Sequence, residues 1–415
     1  MRLNKAQWCW LLYDPGNAAF ALLVRAVFAP LFFMAGIKGI WSESMASANW
    51  GMLCSGAGVF AGACSLYFGA LADAYGGRKL SLLISTAIGV AATLLLAVVG
   101  DYRLIMLVYF IALAAYMVSN SFYDSLLISV AKPEEFSWLS SFAYGFGYLG
   151  GLIPFLGILG GAFFIKESVT VARISFVGAA VWWAVFSLPL LLEVRENTAG
   201  KQHVMWYDGF RELMLTLREV WQDSNVRIFL IAYFLYIDGV STILLMATPI
   251  SVEIGMSEKM LMATILGLQV IGFPATVWAG NLARRFGARK IVYVELLLYI
   301  ITALLIGVLS LLTDHYSKVA VFLTAALLIA LSQGGIQALS RSLFSSLIPP
   351  EKAAEYFGVY NIFGKFTTIL GPVLIYIVSH ICQRSEYGIV LLIVPFTAGG
   401  ILLSRVKFKK QTYRG

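Results

Sequence analysis

Ionisable side chains occur inside long apolar stretches of this 415-residue sequence, where such groups are costly. A charged side chain near the centre of a membrane helix costs at least about 2.5–3.5 kcal/mol. Four carboxylates are placed in this way. Glu295 lies beside a basic loop, and a structural pair with Arg289 or Lys290 is expected for it. The other three are those of Asp14, Asp124 and Asp238. Each could bind a proton, because burial disfavours the charged form, or could pair permanently with a cation such as Arg25 or Lys365. These residue types therefore predict proton or ion binding, or contact with a charged solute.

The composition indicates the surroundings in which these groups lie. The chain is 60% hydrophobic and 13% charged, with a mean hydropathy of +0.83. Soluble domains carry about 25% charged residues, so this chain lacks the charge to cover a water-facing surface. The net charge of +8 is spread over short loops rather than gathered in one patch, which argues against a nucleic-acid partner. We therefore expect an integral membrane protein in contact with lipid.

Apolar runs long enough to span a bilayer number twelve, since about 20 residues cross a core about 30 Å thick. The predicted spans are 7–35, 49–72, 80–99, 102–130, 139–165, 171–193, 227–250, 259–283, 291–312, 319–347, 356–380 and 387–404. Loops on one side carry three times as many Lys and Arg residues as loops on the other, which predicts cytoplasmic termini. The expected fold is all-α, with six-helix halves at 1–193 and 227–404 and a basic tail at 405–415.

The linker 194–226 between the halves has the pattern of an amphipathic helix. Its apolar residues recur at helical spacing: Trp206, Phe210, Leu213, Met214, Leu217 and Trp221. Charged residues fall between them, as in a helix that lies on a membrane surface. We expect the linker to tether the two halves, with a regulatory site as the alternative.

The two halves share a repeat in the loop after their second spans. The first copy contains Gly69, Asp73, Gly76, Arg78 and Lys79; the second contains Gly280, Arg284, Gly287, Arg289 and Lys290. The first glycine of each copy permits close packing, and the second permits a turn with positive φ. We predict a gate at the cytoplasmic ends of the helices, to which Arg341 also belongs. The gate is expected to be unequal, because Arg284 replaces the acid.

These motifs resemble the major facilitator superfamily, whose transporters consist of two six-span repeats. The opening Tyr13-Asp14-Pro15-Gly16-Asn17 and the stretch from Gln333 to Phe344 are similar to one branch of it. That branch comprises the vacuolar amino-acid effluxers of fungi and an unknown-major-facilitator family of bacterial transporters. The sequence departs from the branch at Ala18, Ile237 and Arg284, and Arg25 has no place in the pattern.

The resemblance implies that spans 1, 4, 7 and 10 line a central cavity, which is where the buried charges concentrate. The candidate substrate or ion-coupling residues are Asp14, Asn17, Arg25, Asn120, Tyr123, Asp124, Tyr144, Tyr148, Asp238, Thr242, Gln333, Gln337, Asn361 and Lys365. Asp14, Ala21 and Arg25 are expected to share one stripe of span 1. Pro15 and Gly16, which directly follow Asp14, are expected to break or kink this span, although Asp14 could instead cap a helix in a turn before the membrane. The alternative role of Tyr144 and Tyr148 is packing in the protein core. The alternative for Lys365 is that its side chain extends along the helix to place the ammonium group at the membrane surface.

The leading hypothesis is a secondary transporter of a small polar or zwitterionic solute, with amino acids as the favoured substrate. It would work by rocking 7–193 against 227–404, with proton coupling as one hypothesis. An exporter of lipophilic compounds is the alternative. No catalytic motif, cofactor motif or metal-ligand spacing is found, and the four cysteines lack CxxC pairing, so an enzyme is disfavoured, as is a non-transporting receptor. We expect a monomer in a bacterial cytoplasmic membrane.

Overall fold

The computed structural model describes residues 3–37, 40, 43–162, 168–194, 208–364 and 385–408. All regular secondary structure in these ranges is helical. In the first half the helices are α1 Lys5–Leu11, α2 Tyr13–Ala19, α3 Ala29–Gly36, α4 Glu43–Tyr75, α5 Arg78–Leu96, α6 Tyr102–Ser125, α7 Leu127–Val130, α8 Phe136–Ala162 and α9 Ser168–Glu193. In the second half they are α10 Asp208–Gln222, α11 Ser224–Glu253, α12 Glu258–Phe286, α13 Ala288–Val308, α14 His315–Ser345, α15 at 353–364, α16 Ser385–Val390 and α17 Ile393–Arg405.

Eleven helices or runs of helices in the described ranges are long and apolar enough to cross a membrane. They are Lys5–Phe33, Asn49–Ala74, Arg78–Leu96, Tyr102–Val130, Pro133–Ile158, Val169–Glu193, Ser224–Ala247, Ala263–Phe286, Ala288–Leu311, His315–Ser345 and Gly388–Arg405. Each overlaps one predicted span, and the remaining predicted span, 356–380, lies mostly outside the described residues. The all-α expectation is confirmed and the twelve-helix layout fits, while the side on which the termini lie stays a prediction.

The chain packs as two compact units. Unit 1 comprises Met1–Ala131, Phe146–Leu217 and Pro349–Ile362, and unit 2 comprises Lys132–Gly145, Arg218–Ile348 and Phe363–Gly415. Each unit therefore contains a short segment that the sequence division assigns to the other half. Unit 1 holds most of α15, and unit 2 holds the first turns of α8.

Two glycines of the repeated loop have the positive φ that the sequence predicts. Gly76 follows α4 with φ of 69°, and Gly287 follows α12 with φ of 95°. A side chain is strained in this backbone region, whereas glycine adopts it readily. The two glycines therefore allow α4 and α12 to end in a tight turn before the next helix.

The glycines of α8 differ in how closely neighbouring residues pack against them. A Cβ at Gly150 would collide with Pro15, and one at Gly151 would lie 3.2 Å from the Ala18 carbonyl oxygen, so this part of α8 approaches α2 closely. By contrast, a Cβ at Gly157 or Gly161 would meet nothing within 4 Å among the described residues. Among the described residues, close packing on α8 is therefore found at Gly150 and Gly151 and not at Gly157 and Gly161.

The linker forms α10, which agrees with the predicted amphipathic helix. Thr216 and Val220 are buried, whereas Met214 and Trp221 are 47% and 56% exposed. The helix thus buries one face in the protein and presents large apolar side chains on another. Trp206, the first residue of the predicted stripe, lies outside the described residues.

Candidate functional site

Span 1 is built from several short helical pieces. α1 ends at Leu11 and α2 begins at Tyr13, so the interruption lies at Leu12. Asp14 and Pro15 then occupy the first turn of α2, where a proline is tolerated because that turn has no N–H partner to lose. The expected break is found one turn before Pro15, because Pro15 has no N–H to donate to the carbonyl oxygen of Leu11. Leu12 rather than Asp14 occupies the N-cap position of α2, and the position of this turn relative to the membrane stays a prediction.

Asp14 is oriented by a stack of aromatic rings. The Tyr123 hydroxyl donates a hydrogen bond to Asp14 Oδ2 at 3.0 Å. The buried Tyr123 ring stacks on the rings of Trp10 and Tyr13, with centroids 4.7 and 4.6 Å away. Trp10 Nε1 also donates to the Tyr123 carbonyl oxygen at 3.1 Å. The stacked rings hold the Tyr123 phenol in place, and the phenol in turn orients the carboxylate of Asp14, which is itself only partly buried.

A second contact joins the same two helices one turn further along. Asn17 Nδ2 donates to Asn120 Oδ1. The Oδ1 atom of Asn17 is buried and has no hydrogen-bond partner among the described residues. Asp14 and Asn17 are three residues apart, as are Asn120 and Tyr123, so α2 and α6 form an antiparallel ladder of polar contacts. A carboxylate and an unsatisfied amide oxygen therefore lie one turn apart on α2.

Arg25 lies in an unusual helical segment, the π-helix Phe20–Phe28. A π-helix has wider turns than an α-helix, so the expected stripe of Asp14, Ala21 and Arg25, which assumes 3.6 residues per turn, does not apply here. The Arg25 side chain is exposed and interacts with the hydroxyl of Tyr116 on α6. The Tyr116 ring also stacks on Phe20 at 4.7 Å. The structure thus places Arg25 further along the same helix pair as Asp14.

Asp124, which follows Tyr123, is held by a residue from the second half of the chain. Asn361 Nδ2 donates to Asp124 Oδ2 at 3.3 Å and to the Phe357 carbonyl oxygen at 3.1 Å. The contact lies within unit 1, because that unit includes 349–362. Asp124 is 7% exposed. Lys365, four residues beyond Asn361, lies outside the described residues.

The candidates on spans 7 and 10 belong to unit 2. Asp238 and Thr242 are 2% and 1% exposed on α11, and Gln333 and Gln337 are half-buried on α14. Unit 1 therefore brings together Asp14, Asn17, Asn120, Tyr123, Asp124 and Asn361, and the acid of span 7 is not part of this group. The two aromatic candidates of α8 are also divided, with Tyr144 in unit 2 and Tyr148 in unit 1.

Arg341 is buried inside unit 2, with 1% of its surface exposed. Its Nε donates to Ser140 Oγ at 2.8 Å and its Nη2 to the Ser140 carbonyl oxygen at 3.1 Å. The guanidinium carbon lies 4.5 Å from the centroid of the Tyr144 ring. Arg341 thus fastens the start of α8 to α14, and its burial rules out contact with lipid head groups.

The first copy of the repeated loop forms a connected set of contacts, which we call the Asp73 cluster: Asp73, Arg78, Ala354 and Glu355. Arg78 Nε lies 2.5 Å from Asp73 Oδ1, and the Asp73 carboxylate accepts the backbone N–H groups of Ala354 and Glu355 at 3.2 and 2.9 Å. These N–H groups belong to the first turn of α15, where a carboxylate is favourable.

Neighbouring backbone groups complete the cluster. Arg78 Nη2 donates to the carbonyl oxygens of Pro350 and Glu351 at 2.7 and 2.9 Å, and Lys79 Nζ donates to that of Val194 at 2.9 Å. A Cβ at Gly69 would lie 3.0 Å from the Ala354 carbonyl oxygen, so the glycine permits this approach.

The second copy makes different contacts. Gly280 packs closely on Ser141: a Cβ added at position 280 would lie 2.5 Å from the Ser141 Cβ. Arg284 is exposed. Arg289 Nη1 donates to the Val406 carbonyl oxygen at 3.1 Å, and its guanidinium lies above the Phe408 ring. No ion pair comparable to that of Asp73 and Arg78 is found in this loop, which lies wholly in the described range. The two copies are therefore unequal in structure.

Sequence reasoning missed the aromatic frame of the site and the hydrogen bond from Thr216 to Glu355. Trp10 precedes Asp14 by four residues, a spacing that places both on one face of a regular helix and could have drawn attention to it. Nothing in the sequence signals that Thr216 Oγ1 donates to Glu355 Oε2, because these residues are 139 positions apart. Among the described residues, no group of His, Cys, Asp or Glu could hold a metal ion.

Comparison with solved structures identifies the fold. The human organic anion transporter MFSD10 superposes with a TM-score of 0.76 over 96% of this chain and 99% of that one, at 15% identity. The proton:xylose symporter XylE superposes with a TM-score of 0.73. These transporters share the fold of this chain, and the full-length relative described next, an MFS-type transporter, identifies the chain as an integral, multi-pass membrane protein of the transporter class rather than an enzyme.

Comparison of sequences gives the family. The family described as "Vacuole effluxer Atg22 like" matches residues 42–414, and the chain belongs to that family. An uncharacterized MFS-type transporter of Bacillus subtilis, YxiO, is 32% identical over 99% of this chain and 97% of its own length. Autophagy-related protein 22 of Saccharomyces cerevisiae is 28% identical over 54% of this chain and 47% of its own length.

Proposed function

We propose that this transporter moves amino acids or similar small zwitterions out of the compartment it faces, by alternating access. The observation that carries the proposal is the position of Asp14 one helical turn from Asn17, whose Oδ1 is buried and has no hydrogen-bond partner among the described residues. An ammonium group has three N–H donors and a positive charge, so a carboxylate and an amide oxygen one turn apart suit it well. The description of the family as effluxers supports the direction.

The carboxylate end of the solute needs a cation. Arg25 is eleven residues from Asp14, which corresponds to about 16 Å along an α-helix. That distance is too great for one amino acid to reach both groups through its ammonium and carboxylate. Asn361 lies beside Asp124, and Lys365 follows Asn361 by four residues in the sequence. We therefore assign the carboxylate of the solute to Lys365 and leave Arg25 outside the primary contacts.

Transport is tested with purified protein in liposomes that are loaded with a labelled amino-acid mixture. Release is measured with and without an imposed pH gradient, for the native chain, Asp14→Asn and Lys365→Ala. Glu193→Gln is the matched control, since Glu193 is partly exposed and pairs only with the exposed Lys5, at 2.7 Å. Release that is lost in the two variants and kept in the control supports the proposal. Absence of release from the native chain for every amino acid would contradict it.

A second candidate, export of lipophilic compounds, has one observation in its favour. Unit 1 contains an apolar cavity of about 300 Å³ between α4, α5 and α6. Its lining includes Phe60, Cys64, Phe68, Ile84, Ile88 and Phe122. The same liposomes loaded with a lipophilic fluorescent cation decide between the candidates. Export of the dye that survives Asp14→Asn, together with no release of amino acids, would favour this second function.

Coupling to protons and a location in a bacterial cytoplasmic membrane complete the proposal. Buried carboxylates such as Asp124 supply groups that a proton can neutralise at low cost. The full-length similarity to a Bacillus subtilis transporter supports the location. Dependence of release on the imposed pH gradient tests the coupling, and membrane fractionation of the native host tests the location.

A further inference from the structure

Glu295 is a carboxyl group enclosed in unit 2, on α13, and lies outside the group of candidates described above. It is 3% exposed. Neither Oε1 nor Oε2 has a hydrogen-bond partner among the described residues. An ionised carboxylate in such surroundings would lose its hydration without compensation, which costs far more than the burial of the neutral acid.

The space around the carboxyl group is formed by small residues. Gly335 on α14 lies against it: an added Cβ there would collide with Glu295 Oε1 and lie 2.9 Å from the Ala279 Cβ on α12. Any other residue at position 335 would therefore displace the carboxyl group. The glycine leaves room for the acid without providing a hydrogen-bond donor, since its backbone N–H belongs to the ladder of α14.

Among the described residues, the titratable groups that face Glu295 are phenols rather than cations. Tyr236, on α11, lies close enough to interact with it electrostatically, and its hydroxyl is hydrogen-bonded to Ser340 at 2.6 Å. Tyr299 is one turn along α13 and is fully buried. Asp238 is on α11 too, but it is two residues from Tyr236 and so points about 200° round the helix.

The cations on α13 and on the helices packed against it are engaged elsewhere or exposed. Arg289 contacts the Val406 carbonyl oxygen and Arg341 contacts Ser140. The exposed cations near these helix ends are Arg284, Arg285, Lys290 and Arg405. The expectation that Glu295 pairs with Arg289 or Lys290 is therefore wrong. No ion pair of Glu295 is found in the described part of the chain.

We propose that Glu295 is a proton-binding site of unit 2, which holds a neutral carboxylic acid in this conformation and releases its proton in another. Binding and release add or remove one H⁺ at a carboxyl oxygen, and no other group needs to change. Lys290, in the first turn of α13, is exposed and lies about 7–8 Å along the axis from Glu295, so the enclosed acid is within two turns of an exposed helix end. That this proton drives the solute rests on the transport function proposed above.

The first experiment measures protonation and does not depend on transport. Infrared spectra of the purified protein are recorded across a pH series, in H₂O and in D₂O, for the native chain and Glu295→Gln. We expect a carbonyl band of a protonated carboxylic acid that shifts in D₂O and is missing in Glu295→Gln. Glu193→Gln, which alters an exposed and ion-paired glutamate, is expected to keep the band. Native and Glu295→Gln spectra that coincide in this region at every pH would overturn the proposal.

Gly335→Ala provides a second variant that keeps Glu295 in place. The added methyl group must displace the carboxyl group, so the infrared band of Glu295 is expected to shift without disappearing. A band that is lost in Glu295→Gln but unmoved in Gly335→Ala would assign it to a different acid and contradict the geometry. Gel filtration of both variants shows whether they fold.

The second experiment tests the role in transport. In liposomes, Glu295→Gln is expected to keep solute exchange between equal concentrations but to lose the response to an imposed pH gradient. A full response to the gradient in this variant would mean that the proton on Glu295 is structural, which overturns its role in coupling. If no solute is moved by the native chain, the proposed function fails, while the infrared result still decides whether the site binds a proton.

Discussion

Thr216 in the linker helix α10 hydrogen-bonds the Glu355 side chain at the start of α15. The backbone N–H of Glu355 in turn donates to Asp73 at 2.9 Å. Through these two contacts the linker is connected to the Asp73 cluster within unit 1. The linker is therefore more than a flexible tether, because its buried face hydrogen-bonds α15, which in turn contacts the loop between spans 2 and 3.

Thr216→Val should destabilise this contact. The substitution keeps the size of the side chain but leaves the buried Glu355 carboxylate without the hydroxyl donor, which costs about 1–3 kcal/mol. The expected result is a lower midpoint of thermal unfolding in detergent. Thr324→Val is the matched control, because Thr324 is exposed and bonds only to its own helix. Equal midpoints for the two variants would refute the linkage.

Asp73→Asn should weaken the whole Asp73 cluster. It removes the charge that pairs with Arg78, whose side chain is only 12% exposed, and removal of one partner from a buried pair costs about 3–5 kcal/mol. Exposure and the remaining amide contacts reduce this figure, so we expect the lower end. Arg284→Ala in the second copy should have a much smaller effect, since Arg284 is exposed. Thermal unfolding and the rate of solute release measure both variants.

Tyr123→Phe should separate the hydrogen bond from the aromatic stack. The ring still packs on Trp10 and Tyr13, but Asp14 loses a donor, which lowers stability by about 0.5–1.5 kcal/mol. We expect a larger effect on transport, seen as a higher KM for the amino acid, because the carboxylate is no longer oriented. Tyr316→Phe, at a residue that is 83% exposed, should change neither quantity. An unchanged KM in Tyr123→Phe would argue against Asp14 as a solute contact.

Gly150→Ala and Gly157→Ala should have opposite effects, although both lie in α8. The methyl group at 150 would collide with Pro15, and overpacking of this kind costs typically about 1–3 kcal/mol. The methyl group at 157 meets nothing within 4 Å and should stabilise the helix by about 1 kcal/mol. Thermal unfolding of the two variants measures the difference. Similar losses in both would mean that α8 is packed along its whole length.

The spans could be predicted from the sequence because about 20 apolar residues are required to cross a bilayer, whatever the tertiary contacts. The positions of Gly76 and Gly287 followed from the repeat for a similarly local reason. The interruption at Leu12 has a similarly local cause in Pro15, whose missing N–H removes the bond to the carbonyl oxygen of Leu11, although the residue at which α1 ends could not be predicted. The features that could be predicted are therefore those that depend on the residues of one short segment.

The partners of the candidate residues could not be predicted in the same way. Asp14 and Tyr123 are 109 positions apart, and Asp124 and Asn361 are 237 positions apart. Only the packing of helices brings such residues together, and a single sequence carries no record of it. The π-helix around Arg25 likewise changes the periodicity on which the prediction of a stripe depended.

The antiparallel ladder between α2 and α6 has a consequence for movement in unit 1. Asp14 faces Tyr123, and Asn17 faces Asn120, so the rungs are three residues apart on both helices. A slide of a fraction of a turn would break both contacts at once and form none. A slide of one full turn would bring Asp14 level with Asn120, where a new hydrogen bond is available. These two helices are therefore restricted to discrete relative positions, and intermediate ones are penalised.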